Sequence, residues 1–232
     1  MATAVGPTAR RPQIAGSSVG RKISMAVSGA ILIGFVIGHF LGNLKVFFGP
    51  EIFNHYAEGL RTMGEPFFAR GQLLWLVRIV LLIAVGAHIL FATQLTLESR
   101  RARPVRYRKY DSLVFHYASR TMAWGGVTIL AFVVFHLMHL TFGNVHPDFV
   151  PGDAYHNFVA GFRVVPVSIA YIVAMIPLGF HLYHGTWSAF QTLGANNERY
   201  NRYRRPFALA IALLVAGGNM IFPIAVLAGI VR

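Results

Sequence analysis

The sequence predicts an all-α protein built as a bundle of five transmembrane helices. Three observations support this fold class. The chain has 232 residues, of which 55% are hydrophobic and only 12% charged, whereas a soluble domain usually has about 25% charged residues. Its mean hydropathy is +0.54. Five separate stretches are continuously apolar over about 20 residues or more, which is the length that crosses a bilayer as a helix.

These five stretches define the predicted spans. They cover residues 24–44, 72–97, 121–142, 164–190 and 207–231. Their apolar residues do not alternate with polar ones, as they do in strands of a membrane barrel, so helices are predicted throughout. Residues 23–232 are therefore expected to form one membrane domain, preceded by a basic cytoplasmic tail over residues 1–22.

The basic residues predict the orientation of the chain. Fifteen of the 21 Lys and Arg residues lie in the N-terminal tail, in the loop between spans two and three, or in the loop between spans four and five. These segments share one side of the membrane, and an excess of positive charge marks the cytoplasmic side. The N-terminus is thus predicted in the cytoplasm and the C-terminus outside, in a bacterial-type inner membrane. The net charge of +13 reflects this arrangement, and no nucleic-acid partner is expected.

The basic loops allow two interpretations. They orient the chain and attract anionic membrane lipid, or they also form a docking surface for a cytoplasmic partner. Residues 102–110 mix Arg and Lys with Tyr, a composition that suits an interface. The loop alone does not separate the two.

Histidines are the main functional signal. Six of the ten lie inside predicted spans: His39, His88, His136, His139, His181 and His184. Ionisable residues in a membrane usually face the bundle interior and are functional candidates. One such histidine is equally well explained by a hydrogen bond to a neighbouring helix, but six on four helices indicate a common site.

The depths of four histidines match in pairs. At 1.5 Å per residue, His39 and His136 lie about 22–24 Å from the cytoplasmic ends of their predicted spans, and His88 and His181 about 14–15 Å. The two levels are then expected to be about 8–10 Å apart along the membrane normal. Two imidazoles at equal depth fit the axial positions of a six-coordinate haem, which carries electrons and does not bind oxygen. Two b haems are therefore predicted.

Other residues bear on this hypothesis. The chain has no cysteine, which excludes thiolate-bound iron–sulfur clusters and covalently attached haem in this chain. Small residues beside the histidines would make room for a cofactor, although they suit helix packing equally well. They are Gly34, Gly38, Gly42, Gly86, Ala87, Gly179 and Gly185.

Two further histidines leave the choice of ligands open. His139 and His184 follow His136 and His181 at i+3, on roughly the same helix face. His139 lies nearer the outer membrane edge, with fewer partners at matching depth. His184 matches the depth of His88 almost as well as His181 does.

Several segments resemble those of a known family. They are residues 38–44 (GHFLGNL), Arg78 and His88, residues 102–104 (ARP), residues 119–122 (SRTM), residues 135–137 (FHL) and, most specifically, residues 181–194 (HLYHGTWSAFQTLG). Over about residues 22–207, the chain resembles the cytochrome b anchor subunit of succinate:quinone oxidoreductases and quinol:fumarate reductases, in its single-chain, five-helix, diheme type.

The resemblance implies a ligand assignment. In the family, the positions of Gly185 and Gly194 point to His181 rather than His184, and Leu137 points to His136 rather than His139. His88 and His181 would then hold the proximal haem, nearer the cytoplasm, and His39 and His136 the distal haem.

The resemblance also implies a function within respiratory complex II of the tricarboxylic acid cycle. A flavoprotein subunit with covalent FAD interconverts succinate and fumarate, and an iron–sulfur subunit passes electrons to the anchor, whose haems lead to quinone. The FAD and the clusters belong to the partner subunits, so no catalytic residue for succinate is expected here. The whole complex is free to form a higher oligomer.

Two quinone sites are candidates, because a headgroup needs hydrogen-bond partners and a proton donor. The outer one consists of Glu58, Arg61 and Glu65, although these carboxylates also suit a solvated loop. The inner one consists of Ser24, Ser28, Arg120 and Trp124.

Arg78 lies deep enough in span two to need a partner. A haem propionate would satisfy its charge, and extension of the side chain to the outer interface is the alternative.

Two other functions compete with this one. Another diheme anchor, such as that of a formate dehydrogenase or a hydrogenase, would share the histidine pairs but not the full segment 181–194. A transporter or channel would instead use the histidines to bind metal or relay protons.

Overall fold

The computed structural model describes residues 17–102, 113–195 and 197–232, with the backbone alone for residues 113–121. Five helical segments within these ranges are long and apolar enough to cross a membrane: Ser18–Phe48, Gln72–Arg101, Met122–Thr141, Val165–Thr192 and Glu198–Leu227. The predicted all-α class with five spanning helices is thus confirmed. Most of the N-terminal tail, residues 1–16, lies outside the described residues.

The helices are numbered in chain order. They are α1 (Ser18–Asn43), α2 (Pro50–Thr62), α3 (Gln72–Arg101), α4 (Leu113–His136), α5 (Ala154–Arg163), α6 (Val165–Thr192), α7 (Glu198–Ala212) and α8 (Gly218–Leu227). A 3₁₀ turn, Leu44–Phe48, extends α1. Single π-helical turns extend α4 over Leu137–Thr141 and join α7 to α8 over Leu213–Gly217.

Helix α1 begins six residues before the predicted start of the first span. Ser17 caps it, because its side chain accepts a hydrogen bond from the Gly20 amide, and a serine cap satisfies one of the free amides of a first turn. After α6, Gly194 adopts φ 79°, a conformation that glycine adopts without a Cβ penalty.

Helices α2 and α5 were not predicted. With 13 and 10 residues they are too short to span a membrane. They contact each other at the end of the bundle that the charge pattern predicts to be the outer one, called the outer end below. The Asn54 side chain donates to Asp153 at 2.9 Å and accepts from the Tyr155 amide at 2.8 Å. Asp153 also caps α5 through the His156 amide, and this bond, followed by that from Asn54, lowers the pKa of Asp153. The link is therefore present at neutral pH and weakens as acid protonates this carboxylate.

The spanning helices form two packed pairs, α1 with α3 and α4 with α6. Helix α1 also contacts α6, and α7 and α8 pack on α6 as well. The largest buried cluster lies at the outer end and includes Phe40, Phe53, Phe158 and Phe222. The apolar windows of α3 and α4 are each only 6% buried, against 44% for the last span, so long faces of α3 and α4 remain for lipid or for a cofactor.

Candidate functional site: two histidine pairs

The structure brings four span histidines together in two pairs. The ring centres of His39 and His136 are 5.8 Å apart, and those of His88 and His181 are 5.9 Å apart. The first pair connects α1 to α4 and the second connects α3 to α6. Among the described residues, α1 makes few backbone contacts with α4, and α3 makes few with α6. Each pair therefore bridges a gap between helices that do not pack directly on each other.

The separation of the rings fits a shared metal. Two imidazole nitrogens on opposite sides of an ion, each at about 2 Å, place the ring centres about 6 Å apart. A bare metal site normally needs three or four protein ligands, and the described residues contain no cluster of three or more His, Cys, Asp or Glu placed to bind one. A porphyrin supplies the remaining four nitrogens, so paired histidines fit a haem better than a bare ion.

One ring nitrogen of His181 lacks a partner in the part of the chain that the structure describes. Its Nδ1 is buried and has no hydrogen-bond partner among the described residues. Buried polar atoms without a partner are uncommon in folded proteins and call for a specific explanation, such as a bound group or water. Here the orphan nitrogen belongs to a ring that already faces the histidine of another helix.

A hydrogen bond defines the tautomer of His88. The Ser28 hydroxyl donates to the Met25 carbonyl at 3.0 Å, and its oxygen lies 3.3 Å from His88 Nδ1. Because the single hydroxyl proton is used on the carbonyl, the oxygen accepts from Nδ1–H. The lone pair of His88 then lies on Nε2, the nitrogen left free for a metal. Histidine ligands are usually oriented by such a second hydrogen bond.

His136 has an equivalent partner. Its Nδ1 lies 3.2 Å from the hydroxyl of Tyr171 on α6. On the other side of the same pair, the His39 ring stacks on Phe35 with ring centres 5.5 Å apart. A hydroxyl and an aromatic ring thus restrain the two rings that face each other.

The alternative histidines occupy other environments. His139 is fully buried, and its ring stacks on Phe135 at 5.6 Å and on His146 at 5.0 Å. The ring of His184 lies 6.2 Å from that of Trp187. The geometry therefore places His136 and His181 in the pairs, and His139 and His184 beside them.

The two pairs are further apart than the sequence estimate of about 8–10 Å. His88 is level with Ser28, which precedes His39 by eleven residues, or about 16 Å of helix. Tyr171, which contacts His136, precedes His181 by ten residues, or about 15 Å. The estimate was too small mainly because α1 begins six residues before the predicted first span, which places His39 deeper than the estimate assumed.

The glycines near the histidines divide into two groups. A Cβ on Gly42 would collide with the Tyr56 hydroxyl, and one on Gly179 would lie 3.2 Å from the Cβ of Ala216, so these two glycines serve helix packing. Gly185 has no neighbour within 4 Å of an added Cβ. It follows His181 by four residues and so shares its helix face. Gly185 is thus the residue best placed to make room beside a histidine.

The predicted inner quinone residues are only partly brought together. Ser24 and Ser28 line an apolar groove of about 440 Å³ between α1 and α3. Trp124 is 77% exposed on α4 and does not line this groove. Arg120 lies where only the backbone is described.

The predicted outer quinone residues do not line the groove at this end of the molecule, called the outer groove below. Glu58 forms ion pairs with Arg61, at 3.3 Å, and with Arg70, and Glu65 is exposed. The larger groove on this side, of about 760 Å³, has other lining residues: Lys45, Glu51, Ile52, His55, Tyr56, Gly59 and Leu60. Sequence reasoning missed this set. The i, i+4 spacing of residues 51, 55 and 59 after Pro50 was the available signal, since it marks one face of a short helix.

Arg78 is exposed near the outer end of α3. Its guanidinium lies over the Trp75 ring, 5.0 Å from the ring centre. A cation over an interfacial tryptophan matches the alternative in which this side chain extends to the membrane surface.

The end of the bundle formed by the start of α1 and the end of α3 is basic. Arg21 and Glu98 form an ion pair that joins these two helices. The remaining exposed arginines on the described part of this end include Arg100, Arg101, Arg199 and Arg202. The segment 103–110, predicted as part of a docking surface, lies outside the described residues.

Compared with models of known protein families, with curated proteins and with solved structures, the chain shows no match. The fold and the site therefore define the class by themselves. The chain is an all-α protein with five membrane-crossing helices and two interhelical histidine pairs at different levels.

Proposed function

We propose that this chain is a diheme cytochrome b that anchors a succinate:quinone oxidoreductase in the membrane and carries its electrons to quinone. The observation that carries the diheme part is the pairing of histidine rings at 5.8 and 5.9 Å between helices that otherwise make little contact. In each pair, one ring also bonds a hydroxyl through Nδ1.

A bound haem b supplies reversible one-electron chemistry at each pair. The imidazoles of the two pairs would hold the haems, and Ser28 and Tyr171 would orient two of these rings. All four of these histidines lie on apolar spanning helices, which would limit the access of water to a bound haem. With about 15 Å between the pairs along the helices, the two sites together reach from the cytoplasmic half of the bundle to the outer half.

The succinate part of the proposal has a different basis. It rests on the family resemblance of residues 38–44 and 181–194, and on the basic cytoplasmic end. An anchor without cysteine needs a partner that holds the iron–sulfur clusters. Another respiratory dehydrogenase anchor remains the runner-up, because it would use the same histidine pairs.

Haem content is the direct test. The purified chain is expected to contain about two b haems per polypeptide, because two axial pairs are present. A pyridine haemochrome assay measures this ratio, and a dithionite-reduced spectrum should show the bands of a b-type cytochrome. A metal or proton transporter that uses these histidines would show no Soret band. Absence of this band would therefore reject the cytochrome.

The electron donor separates the two cytochrome alternatives. In membranes that contain the assembled complex, succinate is expected to reduce the haems of this chain, whereas formate or hydrogen should leave them oxidised. The absorbance of the reduced b band after each addition is the measurement. Reduction by formate or hydrogen, with none by succinate, would assign the chain to the runner-up.

The quinone is expected in the inner groove, because Ser28 both lines this groove and contacts His88. Ser24→Phe should fill the groove and slow reoxidation of the dithionite-reduced chain by decylubiquinone about tenfold or more, with both haems retained. A stopped-flow measurement of the b band gives the rate.

Gly59→Phe is the matched variant for the outer groove, where an added Cβ meets no neighbour within 4 Å. It is expected to leave reoxidation unchanged. Slow reoxidation in Gly59→Phe, with a normal rate in Ser24→Phe, would place the quinone in the outer groove instead.

A further inference from the structure

We propose that Tyr171 is the positioning residue for His136, and that His139 determines the direction in which the Tyr171 hydroxyl donates. This inference rests on the proposed ligation of a haem by His136. This role accounts for His139, a span histidine that is fully buried but belongs to neither pair.

The hydroxyl of Tyr171 lies between two imidazoles. It is 3.2 Å from His136 Nδ1 and 3.0 Å from His139 Nδ1. With a single proton, it donates to one ring and accepts from the other. If His136 Nδ1–H donates to Tyr171 and Tyr171 donates to His139, the lone pair of His136 lies on Nε2. The opposite direction would place the His136 proton on Nε2, where it would block a metal.

The ring of His139 is held in place by its neighbours. Its ring lies between Phe135, which is stacked at 5°, and His146, which is stacked at 28°. His146 is itself a fixed neutral ring, because its Nδ1 accepts from the Asp148 amide at 3.0 Å and its Nε2 donates to the Asn157 carbonyl at 2.7 Å. With the His139 ring fixed in this way, its Nδ1 stays 3.0 Å from the Tyr171 hydroxyl, within reach of the hydroxyl proton.

Backbone geometry makes this arrangement possible. The π-helical turn Leu137–Thr141 begins directly after His136. Such a wide turn changes the angular spacing of the residues that follow it, so His136 faces His39 while His139 turns into the core beside Gly161. Gly161 is required there, because an added Cβ would lie 2.7 Å from the His139 ring. Single π turns occur frequently at functional sites.

A defined chemical effect follows. Donation of Nδ1–H to a fixed acceptor makes the opposite nitrogen of an imidazole a stronger ligand base. A stronger base stabilises oxidised iron relative to reduced iron. Tyr171 should therefore lower the midpoint potential of the haem bound by His136, and Ser28 should do the same for the haem bound by His88.

The test is a redox titration of the full-length, haem-loaded chain. Tyr171→Phe is expected to raise the midpoint potential of one haem only, the one that His136→Ala removes. The expected change is about tenfold in the ratio of reduced to oxidised haem at a given potential, or about 59 mV for a one-electron couple. Ser28→Ala should shift the other haem, and Tyr155→Phe, which deletes a hydroxyl bonded to the Arg232 carbonyl, should shift neither.

Variants at His139 test the acceptor. His139→Gln keeps an acceptor for the Tyr171 proton, so the midpoint potential should stay close to the wild-type value. His139→Leu should shift the midpoint potential of the same haem as Tyr171→Phe does. Selective loss of that haem in Tyr171→Phe would also support the inference. A shift or loss of both haems, a shift of neither, or equal behaviour of the two His139 variants would overturn it. A wild-type chain without haem would instead reject the proposed function.

Discussion

Replacement of His39 or His136 by Ala is expected to remove one and the same haem, and replacement of His88 or His181 the other. In each variant the haem content should fall from about two to about one per chain, because a six-coordinate haem requires both axial imidazoles. The physical basis is the ring separation of 5.8 Å in one pair and 5.9 Å in the other. Pyridine haemochrome analysis gives the content, and the potential of the remaining haem shows which one is lost.

The matched controls are histidines outside the pairs. His184→Ala removes an imidazole three residues from His181, and His55→Ala removes one from the outer groove; both variants should retain two haems. If His39→Ala and His136→Ala left behind haems of different potential, the pairing would be wrong. If His184→Ala removed the haem that His88→Ala removes, the ligand on α6 would be His184.

A bulky side chain at position 185 is expected to abolish the haem held by His88 and His181. Gly185 lies one turn from His181 on the same face of α6, and an added Cβ there meets no neighbour within 4 Å. Phenylalanine in Gly185→Phe would therefore occupy the space beside the imidazole without a clash against the protein. We expect the content to fall to about one haem per chain, with the circular dichroism of the helices unchanged.

Gly86→Phe is the control for this substitution. Gly86 is also open around an added Cβ, but it precedes His88 by two residues, which places it on nearly the opposite side of α3. A phenylalanine there should point to lipid and leave both haems in place. Loss of haem in both variants would indicate a general packing effect, and retention of both haems in Gly185→Phe would show that the cofactor space lies elsewhere.

The spanning helices could be predicted because each is a long apolar run, and a bilayer demands such runs whatever the tertiary structure. Their ends were less predictable. Helix α1 starts at Ser18 and α3 continues to Arg101, since polar residues at the membrane surface stay helical without being apolar. Helices α2 and α5 escaped prediction for a related reason: they are short, and only one face of each is apolar.

The choice among neighbouring histidines needed backbone geometry. Residues three apart share a face in a regular α-helix, so the spacing of His136 and His139 left both as candidates. In the structure the ring that faces His39 is that of His136, and His139 lies in the π-helical turn that follows, a turn that no residue type in this segment specifies. The lining of the outer groove could not be predicted from the sequence either, because it depends on how α2 lies against the end of α1.

The sequence alone predicted that lipid surrounds this protein, and it predicted the five spans. It also identified the histidines inside these spans, where an ionisable side chain has a high free-energy cost. Burying imidazoles among apolar residues is unfavourable, and that penalty is visible without coordinates. The depths of the histidines also predicted the two pairs, whereas only the tertiary structure decided which of two neighbouring rings takes part, which hydroxyl orients each ring and how far apart the pairs lie. Those properties depend on helix rotation, on helix ends and on one local change of helical pitch, which short-range sequence patterns do not encode.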